Sequence, residues 1–271
     1  MNRRLALLTA VFSIAAFTAP AAVNAGLEAG KTTVLVTGAN RGIGLEYVNQ
    51  LTARGWNIIA TARKPADAVE LNAIAAKNPQ VVVEALDVTD HAGIDALAAK
   101  YKDQPIDILL LNAGLTPSYP SAMKQLAGVD FDKARESFEV NAIGPLKMIQ
   151  TFMPHVSAST KKQIVVLSSK AGSFAESPKL PMMYEYRASK AALDMYMYTA
   201  AFETARKGLT LVLLSPGQVN TQQDPKMREM MRNMTIEASE SVGKQLKVID
   251  SLTTADNGKF LNFEDRREIP W

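Results

Sequence analysis

Tyr186 and Lys190 are the two residues of this chain whose types and spacing most directly indicate chemistry. Side chains four residues apart on a helix project from the same face, so a helix here would place the phenol beside the ammonium. A phenol has a reference pKa of about 10, and a neighbouring positive charge favours the phenolate and lowers that pKa. Such a phenol can move a proton to or from a carbonyl oxygen. Because Tyr-x-x-x-Lys also arises by chance in helices, this interpretation depends on the rest of the chain.

The elements that would position this pair are indicated by short apolar segments alternating with amphipathic ones. We predict strands over 32–37, 57–62, 80–85, 106–111, 163–167, 209–214 and 259–263. Helices are predicted from residue 44 to 54 and over 65–77, 94–102, 131–155, 182–207 and 237–252. The alternation is typical of a parallel sheet covered by helices on both faces. Right-handed crossovers then give a single-domain α/β fold, a Rossmann-type doubly wound parallel sheet of about seven strands.

The turn between the first strand and the first helix is rich in glycine. Gly38, Gly42 and Gly44 follow the spacing G-x-x-x-G-x-G. Glycines at this place permit a tight turn and let backbone N–H groups at the helix N-terminus approach a pyrophosphate. The predicted dinucleotide-binding turn consists of Gly38, Asn40, Arg41, Gly42, Ile43 and Gly44.

Two arginines bear on the choice of dinucleotide. Arg41 lies inside the glycine turn and Arg63 ends the second strand. An acidic residue at that strand end would bind the ribose hydroxyls of NAD, whereas arginines pair with the 2′-phosphate of NADP. The prediction is therefore NADP, with NAD, or two ordinary solvated surface charges, as the alternatives. Asp87, at the end of the third strand, is placed to reach the adenine edge.

Polar and turn-forming residues also end the later strands. Asn112 ends the fourth strand, Ser169 the fifth and Pro216 the sixth. Ligands of doubly wound sheets bind at the carboxyl ends of the strands, where these residues would meet. Packing alone explains this coincidence poorly, so the sequence predicts a ligand site at this edge.

Several motifs follow one another in a fixed order from residue 31 to residue 271. They are Thr37-Gly38-x-x-x-Gly42-Ile43-Gly44, Asp87-Val88, Asn112-Ala113-Gly114, Asn141, Ser168-Ser169 followed by Gly172, Tyr186-x-x-x-Lys190 and Pro216-Gly217-x-Val219-x-Thr221. As an ordered set they resemble the short-chain dehydrogenase/reductase family. The C-terminal runs Val248-Ile249-Asp250, Gly258-Lys259-Phe260 and Pro270-Trp271 look like its C-factor and sniffer-type carbonyl reductase branch.

The resemblance implies four catalytic residues. Tyr186 would be the proton donor to the carbonyl oxygen, and Lys190 would lower the pKa of that tyrosine and hold the nicotinamide ribose hydroxyls. Ser169 would orient the substrate and stabilise developing charge, and Asn141 would hold a water in a proton relay to Lys190. The resemblance places the following residues at the cofactor: Asp87, Val88, Asn112, Ala113, Gly114, Tyr186, Lys190, Pro216, Gly217, Val219 and Thr221.

Tyr186 and Ser169 each have a residue of the same type close by in the sequence. Tyr184 is six residues before Lys190 and so lies on a different face of a helix, which leaves Tyr186 as the partner. Ser168 and Ser169 point to opposite sides of an extended chain, and the family spacing to Gly172 selects Ser169.

The first 25 residues are predicted to be a signal peptide and not part of the fold. Arg3 and Arg4 form a positive n-region, residues 5–17 an apolar h-region, and Val23-Asn24-Ala25 a cleavage site. Cleavage after Ala25 predicts a periplasmic or secreted protein without a membrane anchor. An uncleaved anchor is the alternative, although the apolar run is shorter than a spanning helix requires. The arginine pair leaves export by the general or the twin-arginine route open.

The overall composition limits the range of partners. The formal net charge of +3 and the lack of a basic block argue against a nucleic-acid partner. The chain has no cysteine, and its only histidines are His91 and His155, so we predict no metal site. The resemblance leaves a homodimer or homotetramer open.

The sequence therefore supports an oxidoreductase that transfers a hydride between NADP(H) and a small-molecule carbonyl or alcohol. The main alternative is a secreted, non-catalytic nucleotide-binding or signalling protein of the C-factor type, because free NADP(H) is expected to be scarce outside the cytoplasm. A purely structural domain would leave the set Asn141, Ser169, Tyr186 and Lys190 unexplained.

Overall fold

The computed structural model describes residues 26–222 and 224–271. The predicted signal peptide, residues 1–25, lies outside the described residues. Within them, no helix combines the length and the apolar composition that crossing a membrane requires.

Within the described residues, the centre of the fold is one parallel sheet of seven strands. The strands are β1 (Thr33–Val36), β2 (Asn57–Ala62), β3 (Val81–Ala85), β4 (Ile108–Leu111), β5 (Gln163–Leu167), β6 (Thr210–Ser215) and β7 (Phe260–Asn262). Their order across the sheet is β3-β2-β1-β4-β5-β6-β7, and every neighbouring pair is parallel. The chain direction across the sheet therefore reverses between β1 and β4, where doubly wound sheets bind their ligands. The predicted fold class is confirmed.

Helices cover both faces of the sheet. They are α1 (Gly42–Ala53), α2 (Val69–Ala75), α3 (His91–Lys100), α4 (Tyr119–Ala122), α5 (Phe131–Phe138), α6 (Gly144–Ser157), α7 (Tyr184–Arg206), α8 (Pro225–Met231) and α9 (Ala238–Asp250). Successive strand residues face opposite sides. Leu35 of β1 packs in the layer that contains Phe152 of α6 and Met197 of α7. Its neighbour Val34 packs in the layer that contains Leu51 of α1.

The helix predicted over 131–155 is interrupted. A π-helical turn, Glu139–Ile143, separates α5 from α6. Gly144 follows this turn and packs against the segment after β3. A Cβ on Gly144 would lie 2.7 Å from the Val88 carbonyl oxygen. Pro145 lies in the first turn of α6, where a missing N–H breaks no helical hydrogen bond. Single π turns inside helices are often associated with functional sites.

Two smaller differences also have a local cause. The segment 65–77 begins as a 3₁₀ turn, Pro65–Asp67, and continues as α2 from Val69. The helix carrying Tyr186 begins at Tyr184 rather than at Met182, because Met183 has a left-handed backbone with φ of 53°. The Met183 N–H donates to the Ala122 carbonyl at 2.9 Å, which ties the start of α7 to α4.

Candidate active site

The predicted site residues follow the carboxyl ends of six strands. The glycine turn follows β1, Arg63 follows β2, and the pair Asp87 and Val88 follows β3. After the next strands come Asn112, Ala113 and Gly114 (β4), Ser169 (β5), and Pro216, Gly217, Val219 and Thr221 (β6). Asn141 comes from the π turn, and Tyr186 and Lys190 come from α7. The topology thus brings all of these segments to one edge of the sheet.

The glycine turn has the geometry of an anion-binding turn. Gly38 and Gly42 have φ values of 64° and 56°, in the left-handed region that glycine adopts readily. A Cβ on Gly44 would lie 2.2 Å from the Gly38 carbonyl oxygen, so only glycine lets α1 begin so close to the turn. No side chain of the described residues caps the N-terminus of α1, where Arg41 is the N-cap. Its first N–H groups therefore remain available to a phosphate.

Asn112 stabilises the glycine turn from the neighbouring strand. Its side-chain amide donates to the carbonyl oxygens of Thr37 at 2.9 Å and Gly38 at 3.1 Å. The Thr37 hydroxyl in turn accepts from the backbone N–H groups of Asn112 and Ala113, both at 3.0 Å. Asn112 was predicted at the cofactor, and in the structure its amide holds the glycine turn.

The two arginines predicted to bind the 2′-phosphate, Arg41 and Arg63, are exposed. Within the described residues, neither Arg41 nor Arg63 has a carboxylate within salt-bridge distance. Asp87 is held in orientation, because its Oδ1 accepts from the backbone N–H of Thr89 at 2.9 Å and from the Thr89 hydroxyl at 2.8 Å. Two guanidinium groups without a protein partner can pair with a phosphate.

The segment after β6 approaches the glycine turn from the other side. A Cβ on Gly42 would lie 3.1 Å from the Thr221 methyl group, so Thr221 lies against that turn. Gly217 has a φ of 80° and packs against Phe263, whose ring would be 2.5 Å from an added Cβ. The Pro216 carbonyl accepts from the Ser241 hydroxyl at 2.6 Å, which anchors the segment to α9.

Tyr186 and Lys190 share one face of α7, as their spacing predicts. The Lys190 Nζ lies 6.0 Å from the centre of the Tyr186 ring and donates to the Leu167 carbonyl oxygen at 2.8 Å. Burial lowers the pKa of Lys190 to about 8. Burial disfavours the charged form of Tyr186 as well, which for a phenol raises the pKa. The hydroxyls of Ser169 and Thr116 act to lower the pKa of Tyr186.

The direction of the Tyr186 shift corrects the expectation that Lys190 would lower the pKa of this phenol. Desolvation disfavours the phenolate more strongly than the neighbouring groups favour it. The Lys190 ammonium is directed at the Leu167 carbonyl, not at the phenolic oxygen. Tyr186 is therefore a protonated phenol at neutral pH.

Ser169 lies beside Tyr186 and begins the 3₁₀ turn Lys170–Gly172. Its hydroxyl accepts from the Ala171 N–H at 3.2 Å, and its backbone is extended, with φ of −152°. The extended chain sends the two serines to opposite sides, as predicted. Ser168 donates to the Asp194 carboxylate, whereas Ser169 is near the Tyr186 hydroxyl.

Asn141 is fully buried and joins a loop to α7. Its Oδ1 accepts from the Leu115 N–H at 2.7 Å, and its amide donates to the Leu115 carbonyl at 2.9 Å and to the Ser189 hydroxyl at 3.0 Å. Both amide hydrogens are thus used by protein groups. Asn141 also lies near Lys190, since a Cβ on Gly114 would be 3.3 Å from the Asn141 Oδ1 and 4.0 Å from the Lys190 Nζ.

Two residues of this site were not predicted. Thr116 acts on Tyr186 from the loop after β4, and nothing in the sequence of that loop marks it out. Asp194 is four residues after Lys190, so the same helical spacing that paired Tyr186 with Lys190 places it on the same face. Across residues 26–222 and 224–271, no group of His, Asp and Glu side chains is arranged to hold a metal ion.

Residues 32–232 match the protein family described as short chain dehydrogenase. The chain belongs to the short-chain dehydrogenase family. It is an oxidoreductase of this family, and the resemblance found in its ordered motifs is confirmed. One similar member is an uncharacterised oxidoreductase of Schizosaccharomyces pombe, 32% identical over 244 residues, which are 84% of this chain and 94% of that protein.

Two further similar proteins carry names that bear on the branch that the motifs suggest. The C-signal of Myxococcus xanthus is 30% identical over 176 residues, which are 65% of this chain and 99% of C-signal. The NADPH-bound carbonyl reductase from chicken fatty liver is 31% identical, with a TM-score of 0.77 over 89% of this chain and 99% of that structure.

Proposed function

We propose that this short-chain dehydrogenase reduces the carbonyl group of a small molecule with NADPH, and that Tyr186 supplies the proton. The observation that carries the proposal is the arrangement of Tyr186, Ser169 and Lys190 beside a glycine turn at the same sheet edge. The NADPH-bound chicken carbonyl reductase, similar over nearly its whole length, supports both the cofactor and the substrate class.

The protonated Tyr186 phenol has the form that carbonyl reduction requires. Reduction needs an acid that donates to the carbonyl oxygen, and oxidation needs a base that removes the alcohol proton. Because burial raises the pKa of Tyr186, the phenol keeps its proton throughout the neutral range. The Ser169 hydroxyl next to it can donate a second hydrogen bond and stabilise the negative charge that develops on that oxygen.

The residues present fit a nicotinamide dinucleotide phosphate. The open N-terminus of α1 and the glycine turn would bind its pyrophosphate, Arg41 and Arg63 its 2′-phosphate, and Asp87 its adenine. The Lys190 ammonium has three N–H donors and gives one to Leu167, which leaves two for ribose hydroxyls. When bound, the cofactor supplies the hydride.

Cofactor preference can be tested with Arg63→Asp. The new carboxylate would repel the 2′-phosphate and accept from ribose hydroxyls, so NADPH affinity should fall by about 10–100-fold and NADH affinity should rise. Calorimetric titration with both cofactors measures this. Arg54→Asp serves as the control, because Arg54 ends α1 at the opposite sheet edge and pairs with Asp250 at 2.9 Å. Equal affinity of the wild type for NADH and NADPH would refute the preference.

The second candidate function is a secreted nucleotide-binding or signalling protein, supported by the match to almost the whole of C-signal. A panel of aldehydes, ketones and quinones, assayed by NADPH oxidation, separates it from the reductase. Turnover of any of these carbonyl compounds supports the reductase. Tight NADPH binding without turnover across the panel would favour the binding protein.

We also propose export followed by cleavage after Ala25, from the charged n-region, the apolar h-region and the small residues at 23–25. The expected mature chain begins at Gly26 in the periplasm or outside the cell. N-terminal sequencing of protein isolated from its host measures the start of the chain. Intact Met1 in a cytosolic fraction would contradict export.

Self-association is part of the proposal as well. The outward side of α7 exposes Met195, Tyr196 and Phe202, and Tyr198 stacks edge-on against both Phe202 and Trp271. An exposed apolar surface of this kind supports a homodimer or homotetramer.

A further inference from the structure

Asp194 lies on the catalytic face of α7, one turn beyond Lys190. Tyr186, Lys190 and Asp194 are spaced four residues apart, so their side chains project from one side of the helix. The Asp194 side chain is nearly inaccessible, with the residue only 4% exposed. Its Oδ1 accepts from the Ser168 hydroxyl, and its buried Oδ2 has no hydrogen-bond partner among the described residues. A buried carboxylate that is only half satisfied is costly and needs a reason to be retained.

The turn that carries Ser169 rests directly on this carboxylate. A Cβ on Gly172 would lie 2.6 Å from the Asp194 Oδ2 and 2.8 Å from the Lys190 carbonyl carbon. Only glycine permits this approach. The 3₁₀ turn Lys170–Gly172 therefore packs against α7 at the level of Lys190 and Asp194.

Two side chains of α7 hold two consecutive residues at the end of β5. Lys190 donates to the Leu167 carbonyl at 2.8 Å, and Asp194 accepts from the Ser168 hydroxyl. The next residue along the chain is Ser169. The distance between the Ser169 hydroxyl and Tyr186 is thus fixed by a pair of contacts from the helix that carries Tyr186.

Asp194 is also the carboxylate whose negative charge acts on Lys190. Its charge raises the pKa of Lys190 and that of Tyr186, and Lys190 lowers the pKa of Asp194 in return. Burial is the larger effect on the carboxylate and raises the pKa of Asp194 to about 7. The two buried groups therefore depend on each other for their charged forms.

Other charged groups near α7 are directed elsewhere. Lys170, on the turn packed against α7, lies 3.6 Å from Glu176. The strands β5 and β6 carry no charged residue. On α5 and α6, the lysine and arginine side chains form ion pairs at the surface: Lys133 with Glu136, Arg135 with Asp132, and Lys147 with Asp95. The ring of His155, on α6, is buried 3.1 Å from the Ala98 carbonyl oxygen. In the described part of the chain, Lys190 and Tyr186 are the titratable groups whose pKa values the Asp194 charge raises.

We propose that Asp194 is a positioning residue of the proposed reductase, holding the end of β5 that carries Ser169 and supplying the negative charge that keeps Lys190 protonated beside Tyr186. This inference rests on the proposed function for its catalytic consequence. The charge coupling between Asp194 and Lys190 is a property of the folded chain and is testable without turnover.

The variant Asp194→Asn keeps an oxygen that can accept from Ser168 and removes only the charge. Without that charge, Lys190 loses its proton at lower pH and Tyr186 also becomes easier to ionise. The alkaline fall of kcat/KM for NADPH-dependent reduction should therefore move down by at least about half a pH unit, with activity near pH 6 kept. Glu203→Gln is the control, since Glu203 is an exposed carboxylate of the same helix, 4.0 Å from Lys207, and its loss should leave the profile unchanged. An even loss of activity at every pH would show that Asp194 is only structural.

Thermal unfolding provides the readout that does not need activity. Since the pKa of Asp194 is higher in the folded than in the unfolded chain, folding takes up a proton between about pH 4 and pH 7. The contribution of Asp194 to stability is therefore present at low pH and is lost as pH rises through that window. The difference obtained by subtracting the Tm of the wild type from the Tm of Asp194→Asn should therefore increase from pH 5 to pH 7.5. A difference that stays constant with pH would overturn the proposal.

Lys190→Met keeps the coupling testable if Asp194→Asn does not fold. Removing the ammonium raises the pKa of Asp194. The Tm of Lys190→Met should therefore continue to fall with rising pH to a higher pH than the Tm of the wild type does. An unchanged range would also overturn the proposal. If the wild type turns over no carbonyl compound, the proposed function fails, and the two unfolding experiments still decide whether Asp194 and Lys190 are coupled.

Discussion

Replacing Tyr186 with Phe is expected to lower kcat for carbonyl reduction by about 10²–10⁴-fold and to leave NADPH affinity nearly unchanged. Phenylalanine retains the ring that lies 6.0 Å from the Lys190 Nζ, so the packing of α7 is preserved. It removes the hydroxyl that Ser169 and Thr116 approach, and with it the proton that the carbonyl oxygen must receive. NADPH oxidation at saturating substrate measures the rate, and calorimetry measures the affinity.

Tyr184→Phe is the matched control for this experiment. Tyr184 is the first residue of α7, two positions before Tyr186 and therefore about 200° away around the helix. Tyr184→Phe also removes a phenolic hydroxyl from the first turn of α7, but this hydroxyl lies on another face of the helix. Turnover should therefore change little. If Tyr186→Phe retained wild-type turnover, the proton would have to come from another group and the assignment of Tyr186 would be wrong.

The predictable part of this structure is the part that local sequence determines. Continuous apolar runs must be buried on both faces, which gave the bounds of β2 and β5 as residues 57–62 and 163–167. Once the strands are parallel, their carboxyl ends meet. The residues after them, such as Gly38, Asn112 and Ser169, then come together without any knowledge of the loops.

The unpredicted part depends on contacts between distant segments. The π turn at Asn141 accompanies the packing of Gly144 on the Val88 carbonyl, and helical periodicity does not reveal it. The direction of the Tyr186 pKa shift depends on burial, and the Tyr-Lys spacing alone suggested the opposite direction. Thr116 became part of the site only through the path of its loop. Asp194 differs from these, because its spacing from Lys190 could have marked it from the sequence.

Replacing Lys190 with Met is expected to weaken NADPH binding by about 10²-fold and to lower kcat as well. The ammonium has two donors left for ribose hydroxyls, and each hydrogen bond from a charged group contributes about 1.5–3 kcal/mol. Methionine fills a similar volume without a charge or a donor.

In the wild type, kcat/KM should fall as pH rises through about 8, because the buried ammonium then loses its proton. In Lys190→Met this dependence should disappear, leaving a low rate that is flat with pH.

The titration of Lys190 should also appear in the free energy of unfolding, which we expect to increase with pH. Burial lowers the pKa of Lys190 from 10.5 to about 8, so between these values the unfolded chain holds a proton that the folded chain has released. Stability then increases with pH across this window, and unfolding in denaturant measured from pH 8 to pH 10.5 should show the increase in wild type but not in Lys190→Met. Lys170→Met is the control, because Lys170 is a partly exposed neighbour of Ser169 whose Nζ lies 3.6 Å from Glu176. That control should retain cofactor affinity, rate and both pH profiles. A wild-type rate that is constant from pH 7 to pH 9.5 would mean that reduction does not need the Lys190 ammonium, and the role assigned to this residue would then be wrong.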